Sequence, residues 1–282
     1  MLIVSELRQI HAVTDLVQAA DIPRSVYYYG QKVSSEPERY QEEKQLIIKV
    51  FHQHEGRYGY RRIDLELRNQ GHLLNHKTVQ SLMGQLQLKS TVRPKKYKSY
   101  RGNIGITAPN TLNREFEAAA PNEKWVTDVT EFNVHGKKFY LSPILDLYNR
   151  EIVSFQIGES AHMGMIMSMV SSAVKRLQKN EIPLLHSDQG WQYQMNLYQD
   201  TLKQHGLKQS MSRKGNCLDN AVMENFFGIL KTEFYHNKKF ASAAAFVREL
   251  KAYIRYYNCD RIKEKLNGLS PVQFRIQALL SA

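Results

Sequence analysis

The sequence predicts an α/β protein: a mixed β-sheet flanked by helices, preceded by all-α helix-turn-helix units. Three observations lead there. Helical hairpins fill the amino-terminal third, a run of alternating strands begins at Lys124, and short apolar strands then alternate with amphipathic helices as far as Phe234.

The first hairpin covers Ala12 to Tyr29, with a turn at Asp21-Ile22-Pro23. Asp21 occupies the place where such a turn favours Gly. Arg24 and Ser25 open the second helix, where a helix-turn-helix presents side chains to the major groove. In the second hairpin, Arg61–Asn69 reads as a helix closed by Gly71, and Asn75 reads as the N-cap of the next helix. Val79, Leu82, Met83 and Leu86 form one apolar face of that helix. His76, Lys77 and Gln80 then point outward, with Arg61 and Arg62 at the start of the preceding helix.

Residues 102–121 lack periodicity and read as a linker. Lys124–Val134 alternates as one strand, His135-Gly136 turns into a second over Lys137–Leu145, and Tyr148-Asn149-Arg150 turns into a third over Glu151–Ile157. A helix from Met163 to Gln178, a strand Ile182–Leu185, a helix near Leu197–His205, a strand near Leu207–Met211 and a helix Asn220–Phe234 follow. The order β-β-β-α-β-α-β-α is that of an RNase H-like mixed sheet, and two more helices close the chain. The expected domains are 1–35 and 36–101 (helix-turn-helix units, the second with a basic tail), 102–121 (linker), 122–240 (core) and 241–282 (C-terminal helices).

Composition narrows the partner. The formal net charge is +12 and the isoelectric point about 9.5, which favours a polyanion. Lys89–Arg101 is the densest stretch. There Arg93, Lys95, Lys96 and Lys98 lie among six basic residues without an acid, and Tyr97 and Tyr100 offer rings for stacking. No apolar run approaches the roughly 20 residues of a membrane span. Glu6 and Asp15 interrupt any secretory signal, so the expected compartment is the cytoplasm. Cys217 and Cys259 have neither metal-ligand nor disulfide spacing and read as reduced thiols.

Three acids stand out by context. Asp128 lies within an apolar strand, Asp188 follows a buried strand at its carboxyl end, and Glu224 sits on a helix whose Phe226, Phe227, Ile229 and Leu230 face the core. Lys231 follows Glu224 by two turns. Two like charges 4 Å apart repel by about 4 kcal/mol in an effective dielectric near 20, so gathered carboxylates need a cation. A pair of Mg²⁺ ions (or Mn²⁺) about 3.5–4 Å apart would meet that need and could activate one oxygen while stabilising another in an in-line displacement.

WVTDVTEF, LLHSDQGWQY and SRKGNCLDNAVMENFFGILKTEF resemble the three blocks of the insertion-sequence-three (IS-three) family of bacterial transposases, whose core is similar to the retroviral integrase catalytic domain. Thirty-five residues separate Asp188 from Glu224, as in that family, and Lys231 matches its trailing basic residue. YIRYYNCDRIKEKLNGLSPVQF resembles its C-terminal signature. The resemblance implies a DDE transposase that uses Asp128, Asp188 and Glu224 as catalytic and metal-binding residues at terminal inverted repeats. It also implies fusion to a first-frame protein and action as a homo-oligomer on DNA. A DNA-binding remnant without activity and a structure-selective nuclease of the same fold are the alternatives.

Some residues read otherwise. Asp146 precedes a tight turn and is expected to accept backbone N–H bonds, with Arg150 near enough to pair. Glu131 faces away from Asp128, and Asp219 is expected to cap the helix of Glu224. Trp125 and Trp191 read as wall residues. His52, His54, His72 and His76 have no Cys nearby; no zinc is expected, and they read as surface or phosphate-facing.

Overall fold

The computed structural model describes residues 2–35, 40–91, 107–236 and 238–280. Arg93, Lys95, Lys96 and Lys98 lie outside the described residues. Two compact units are present, Met1–Lys49 and Val50–Ala282.

In the first unit, α1 (Leu2–Leu7), α2 (Val13–Ala19) and α3 (Arg24–Ser35) bury a small core of Val4, Val17 and Tyr27. Asp21, in the turn before α3, has φ of 53°. This is the left-handed backbone that Gly adopts freely and that costs other residues about 1–2 kcal/mol. Arg24 and Ser25 are exposed on the first turn of α3, with the Arg24 guanidinium 5.7 Å from the Tyr28 ring. Helix α4 (Gln41–Gln53) spans the division between the units.

The second unit opens with the other hairpin, α5 (Tyr60–Asn69) and α6 (His76–Gln85). Its signals act as read. Gly71 has φ of 88° beyond α5, and the Asn75 side chain accepts the Lys77 N–H at 2.9 Å. Val79, Leu82 and Met83 are buried while His76, Lys77 and Gln80 are exposed. This hairpin is locked into the chain's C-terminal part. Tyr58 donates to the Asp260 carbonyl at 3.1 Å, and Asn69 donates to the Gly268 carbonyl at 2.9 Å. The His54 ring stacks on Tyr58 at 3.8 Å and bonds the Tyr256 hydroxyl at 3.1 Å. His54 is thus buried, against the expected surface position, because two aromatic side chains enclose it.

The sheet contains β1 (Lys124–Thr127), β2 (Thr130–Val134), β3 (Lys137–Asp146), β4 (Ile152–Gly158), β5 (Leu184–Ser187) and β6 (Lys208–Met211). β1 and β2 pair successively with one edge of β3, and β4 takes its other edge, all antiparallel. β5 joins β1 and β6 joins β5 in parallel. Helix α7 (Met163–Val174) and α8 (Asn196–Gln204) share a core with Trp125, Ile144 and Leu185. Helix α9 (Ala221–Leu230) and α10 (Ala243–Cys259) share another with Val126, Phe132 and Leu145, and α11 (Pro271–Leu280) packs on α10. The RNase H-like arrangement is the one the sequence predicts. Among the described residues no helix is long and apolar enough to cross a membrane.

Several local details differ. Lys124–Val134 is two strands, because Asp128 and Val129 drop out of the ladder. Counted along the shared register, Pro143 stands opposite Asp128, and a proline has no N–H to give. Strand β5 starts two residues late, since Ile182 is exposed and Pro183 cannot donate. Within the segment read as a linker, residues 107–121 lie on the core: Leu112 is buried and its N–H donates to Ser210 at 3.0 Å. Trp125 is a core residue, whereas Trp191 is exposed.

Candidate active site

Strands β1 and β5 bring the two aspartates together. Trp125 registers with Leu185 and Val126 with His186, so Asp128 and Asp188 leave the sheet at one level from neighbouring parallel strands. Local hydrogen bonds aim both side chains. Asp128 accepts the Val129 N–H at 2.7 Å, and Asp188 accepts the Gly190 N–H at 2.9 Å. A β carbon on Gly190 would lie 3.0 Å from the Asp188 oxygen and 2.7 Å from the Gln192 amide, so a larger residue there would push both side chains aside.

Burial raises the Asp128 carboxyl well above the ordinary carboxylate range, and the charges of Asp188 and Glu224 add to it. The Val129 N–H and Lys231 pull the other way. Burial raises Asp188 as well, against its bond from Gly190. The aspartate pair is the tight part of this arrangement. Glu224, exposed in the first turn of α9, acts on Asp128 through its field. Among the described residues no three His, Cys, Asp or Glu side chains close around one metal position.

The surroundings of the aspartates include Tyr193, which sequence patterns did not single out, beside others that they did. Tyr193 is fully buried, and burial together with the charges of Asp128 and Asp188 keeps its phenol un-ionised. Asn220 donates to the Thr127 carbonyl at 3.2 Å, tying the start of α9 to the strand end that carries Asp128. Asp219 does not cap α9. It is fully buried and binds Arg213 and Arg114 at 2.9 and 2.8 Å, with a further bond from Asn110. His186 is also buried, between the Ser210 and Ser212 hydroxyls at 2.8 and 3.1 Å. Gln189 donates to the Ser212 carbonyl.

Asp146 and Glu131 stand apart from the aspartate pair. Asp146 accepts the N–H groups of Asn122 and Tyr148, both at 2.8 Å. The Arg150 guanidinium lies near enough for its charge to lower the Asp146 carboxyl, while its hydrogen bond goes to the Phe116 carbonyl at 2.9 Å. Glu131 points outward to Lys138.

The residues expected to contact DNA fall into separate places. Arg61, Arg62 and Lys231 line one cleft with Glu224. His76, Lys77 and Gln80 lie on the open face of α6, and Arg24 and Ser25 belong to the first unit. Lys231 opens the π turn Lys231–Tyr235 after α9 and sits 5.5 Å from the Phe132 ring centre. Arg62 is more enclosed than a groove-reading side chain, lying 3.6 Å from Glu233.

Residues 118–217 and 224–279 match the integrase core domain, and residues 38–96 match the HTH-like domain. The putative transposase InsK for insertion sequence element IS150 of Escherichia coli (strain K12) is 51% identical over 280 residues, 99% of each chain. Transposase InsF for insertion sequence IS3A, also of Escherichia coli (strain K12), is 33% identical across 81% of this chain and 80% of its own. Among solved structures, the HTLV-2 integrase catalytic core domain in complex with magnesium superposes with a TM-score of 0.46 at 17% identity, covering 56% of this chain and 99% of that one.

Proposed function

The chain belongs to the IS-three family of insertion-sequence transposases, and on that premise we propose that Asp128, Asp188 and Glu224 carry strand cleavage and strand transfer at the element's terminal inverted repeats. The carrying observation is the strand register: β1 and β5 bring Asp128 and Asp188 out at one level, and the charge of Glu224 reaches Asp128, which supports reading the three as one site. A binding-only remnant and a structure-selective nuclease are not favoured, since the relatives aligned along this chain are transposases.

The donor set fits a hard divalent cation: it offers carboxylate oxygens, and a cation relieves the repulsion that raises Asp128. Two Mg²⁺ or Mn²⁺ ions, held by Asp128, Asp188 and Glu224, would supply the positive charge for attack and departure at phosphorus. The chain does the positioning. The Val129 and Gly190 amides fix the aspartate rotamers, and the bond from Asn220 to the Thr127 carbonyl holds α9 against β1.

DNA is the substrate. We assign phosphate contacts to Lys231, Arg61, Arg62, Arg93, Lys95, Lys96 and Lys98, and groove contacts to Arg24, Ser25, His76, Lys77 and Gln80. Fusion to a first-frame protein and assembly of several copies on DNA complete the reading.

The test is a supercoiled plasmid carrying the inverted repeats, incubated with the fused protein and Mg²⁺. Asp128→Asn, Asp188→Asn and Glu224→Gln should each abolish nicking and strand transfer while DNA affinity stays within a few-fold. Near-normal cleavage by any one variant removes that acid from the site.

A further inference from the structure

A cleft of about 680 Å³ separates the start of α5 from the outer face of α9 and its π turn. Its volume is that of a small-ligand site, room for a short stretch of one strand rather than a double helix. Arg57, Arg61, Arg62, Lys231 and Arg261 line it, and Glu224 stands on its wall. Glu233 and Glu264 are the other lining acids, so cations outnumber carboxylates even with Glu224 counted.

Arg57 is built in. Its side chain is 9% exposed and lies over the Tyr256 ring at 4.5 Å and the Tyr253 ring at 5.4 Å. One end pairs with Glu55 at 2.7 Å, but the buried Nε has no partner. Beside it, Gly59 is the N-cap of α5 and has no side chain to satisfy the first-turn amides, which favours an anion there. Within the lining, Glu233 serves both Arg261 and Arg62. Lys263 is held well below its ordinary range by burial and by those two arginines. The region is short of negative charge.

We propose that this cleft is the track for the sugar–phosphate backbone of one DNA strand, gripped by Arg57, Arg61, Arg62 and Lys231 and led to Glu224. The proposal rests on the reading of Glu224 as part of the reacting site. It gives the second helix-turn-helix unit two tasks: α6 meets duplex DNA with its open face, and the loop before α5 handles a separated strand.

The experiment uses the full chain carrying Asp188→Asn, so that chemistry is silent. Two fluorescent probes are compared by anisotropy over a series of potassium chloride concentrations: a blunt duplex, and the same duplex with a single-stranded oligothymidine tail. The parent should prefer the tailed probe. Arg61→Glu and Arg57→Gln should each weaken tailed binding roughly three- to tenfold and lower the logarithmic salt slope by about 0.7 per lost phosphate contact. Both should weaken tailed binding more than blunt binding, whereas Lys77→Glu on α6 should weaken the two probes alike. Glu264→Gln removes a rim acid and should tighten tailed binding, a gain that misfolding cannot imitate. Equal affinity of the parent for both probes, or tailed binding indifferent to Arg57→Gln, Arg61→Glu and Glu264→Gln together, overturns the track. Loss of plasmid nicking in the wild-type fused protein would sink the proposed function yet leave this binding result standing.

Discussion

Asp128 and Asp188 each lie three residues beyond a registered pair, Trp125 with Leu185, on adjacent parallel strands. The sheet itself therefore forces two partly buried carboxylates together, and the fold carries their repulsion. Asp128→Asn should remove it while keeping the acceptor for the Val129 N–H. The sign follows from the raised carboxyl: above the unfolded value near 3.9 the unfolded chain releases its proton first, so the Asp128 contribution to stability falls as pH rises from about 4. In a metal-free buffer at neutral pH, Asp128→Asn should stabilise the protein by about 0.5–2 kcal/mol and flatten that pH dependence. Thermal unfolding from pH 4 to 8 measures both; a variant less stable than wild type throughout contradicts the account.

Asp219 sits at the other edge of the site as a buried hub for Arg114, Arg213 and Asn110. The Arg213 side chain, beside it, holds the carboxyl far below the ordinary range. Both arginines are about half exposed, so they can hydrate when the carboxylate is lost. Asp219→Ala should cost about 2–3 kcal/mol, less than the 3–5 typical of a fully buried broken pair. Because the hub fixes the loop leading into α9, strand cleavage should fall more than DNA affinity. Chemical denaturation and the plasmid assay report the two effects.

What could be read beforehand depended on how far apart the partners lie in sequence. The His135-Gly136 turn was legible because two adjacent residues with φ of 52° and 79° join strands that pair immediately. The caps at Gly71 and Asn75 are equally local. The break at Asp128 was not legible, since its cause is Pro143 on another strand. Asp219 reads locally as a helix cap because Arg114, 105 positions away, carries no mark of the contact. The three acids were recognisable through their sequence blocks, yet alternation placed Asp128 in mid-strand, and only the sheet register shows how it meets Asp188.

His186 is fully buried, and burial pushes its imidazole down to about 4. A depressed histidine contributes stability that is complete above the unfolded value near 6.5. That stability drains away as pH falls through the window from about 6.5 to 4, amounting to about 3 kcal/mol. Asp146, raised by burial to about 6, works in the opposite sense: its penalty disappears as pH falls from about 6 to 4. The two partly cancel in the wild type. His186→Gln should therefore unmask the Asp146 effect and become relatively more stable, against wild type, on acidification from pH 6.5 to 4. Parallel stability curves for the two proteins over that range would show that His186 does not titrate on unfolding.

Glu233 joins the cleft beside α5 to the interior. It accepts a bidentate pair from Arg261 at 2.8 and 2.6 Å and the Tyr253 hydroxyl at 2.9 Å, with Arg62 at 3.6 Å. Burial alone would raise its carboxyl, but the bonds and charge of Arg261 outweigh burial and leave it below the ordinary value. Glu233→Gln keeps the shape but strands a guanidinium that is 1% exposed, so it should cost about 3–5 kcal/mol. Replacing both partners, Glu233→Gln with Arg261→Met, should be less damaging than the sum of the single changes, because no buried charge is then left alone. The depressed carboxyl supplies stability above about pH 4.3 that is lost on further acidification, and the double variant should lack that loss. A double-mutant cycle by urea unfolding at pH 7 and pH 4 settles the point: coupling near zero at pH 7 would mean that Arg261 finds water when Glu233 is neutralised.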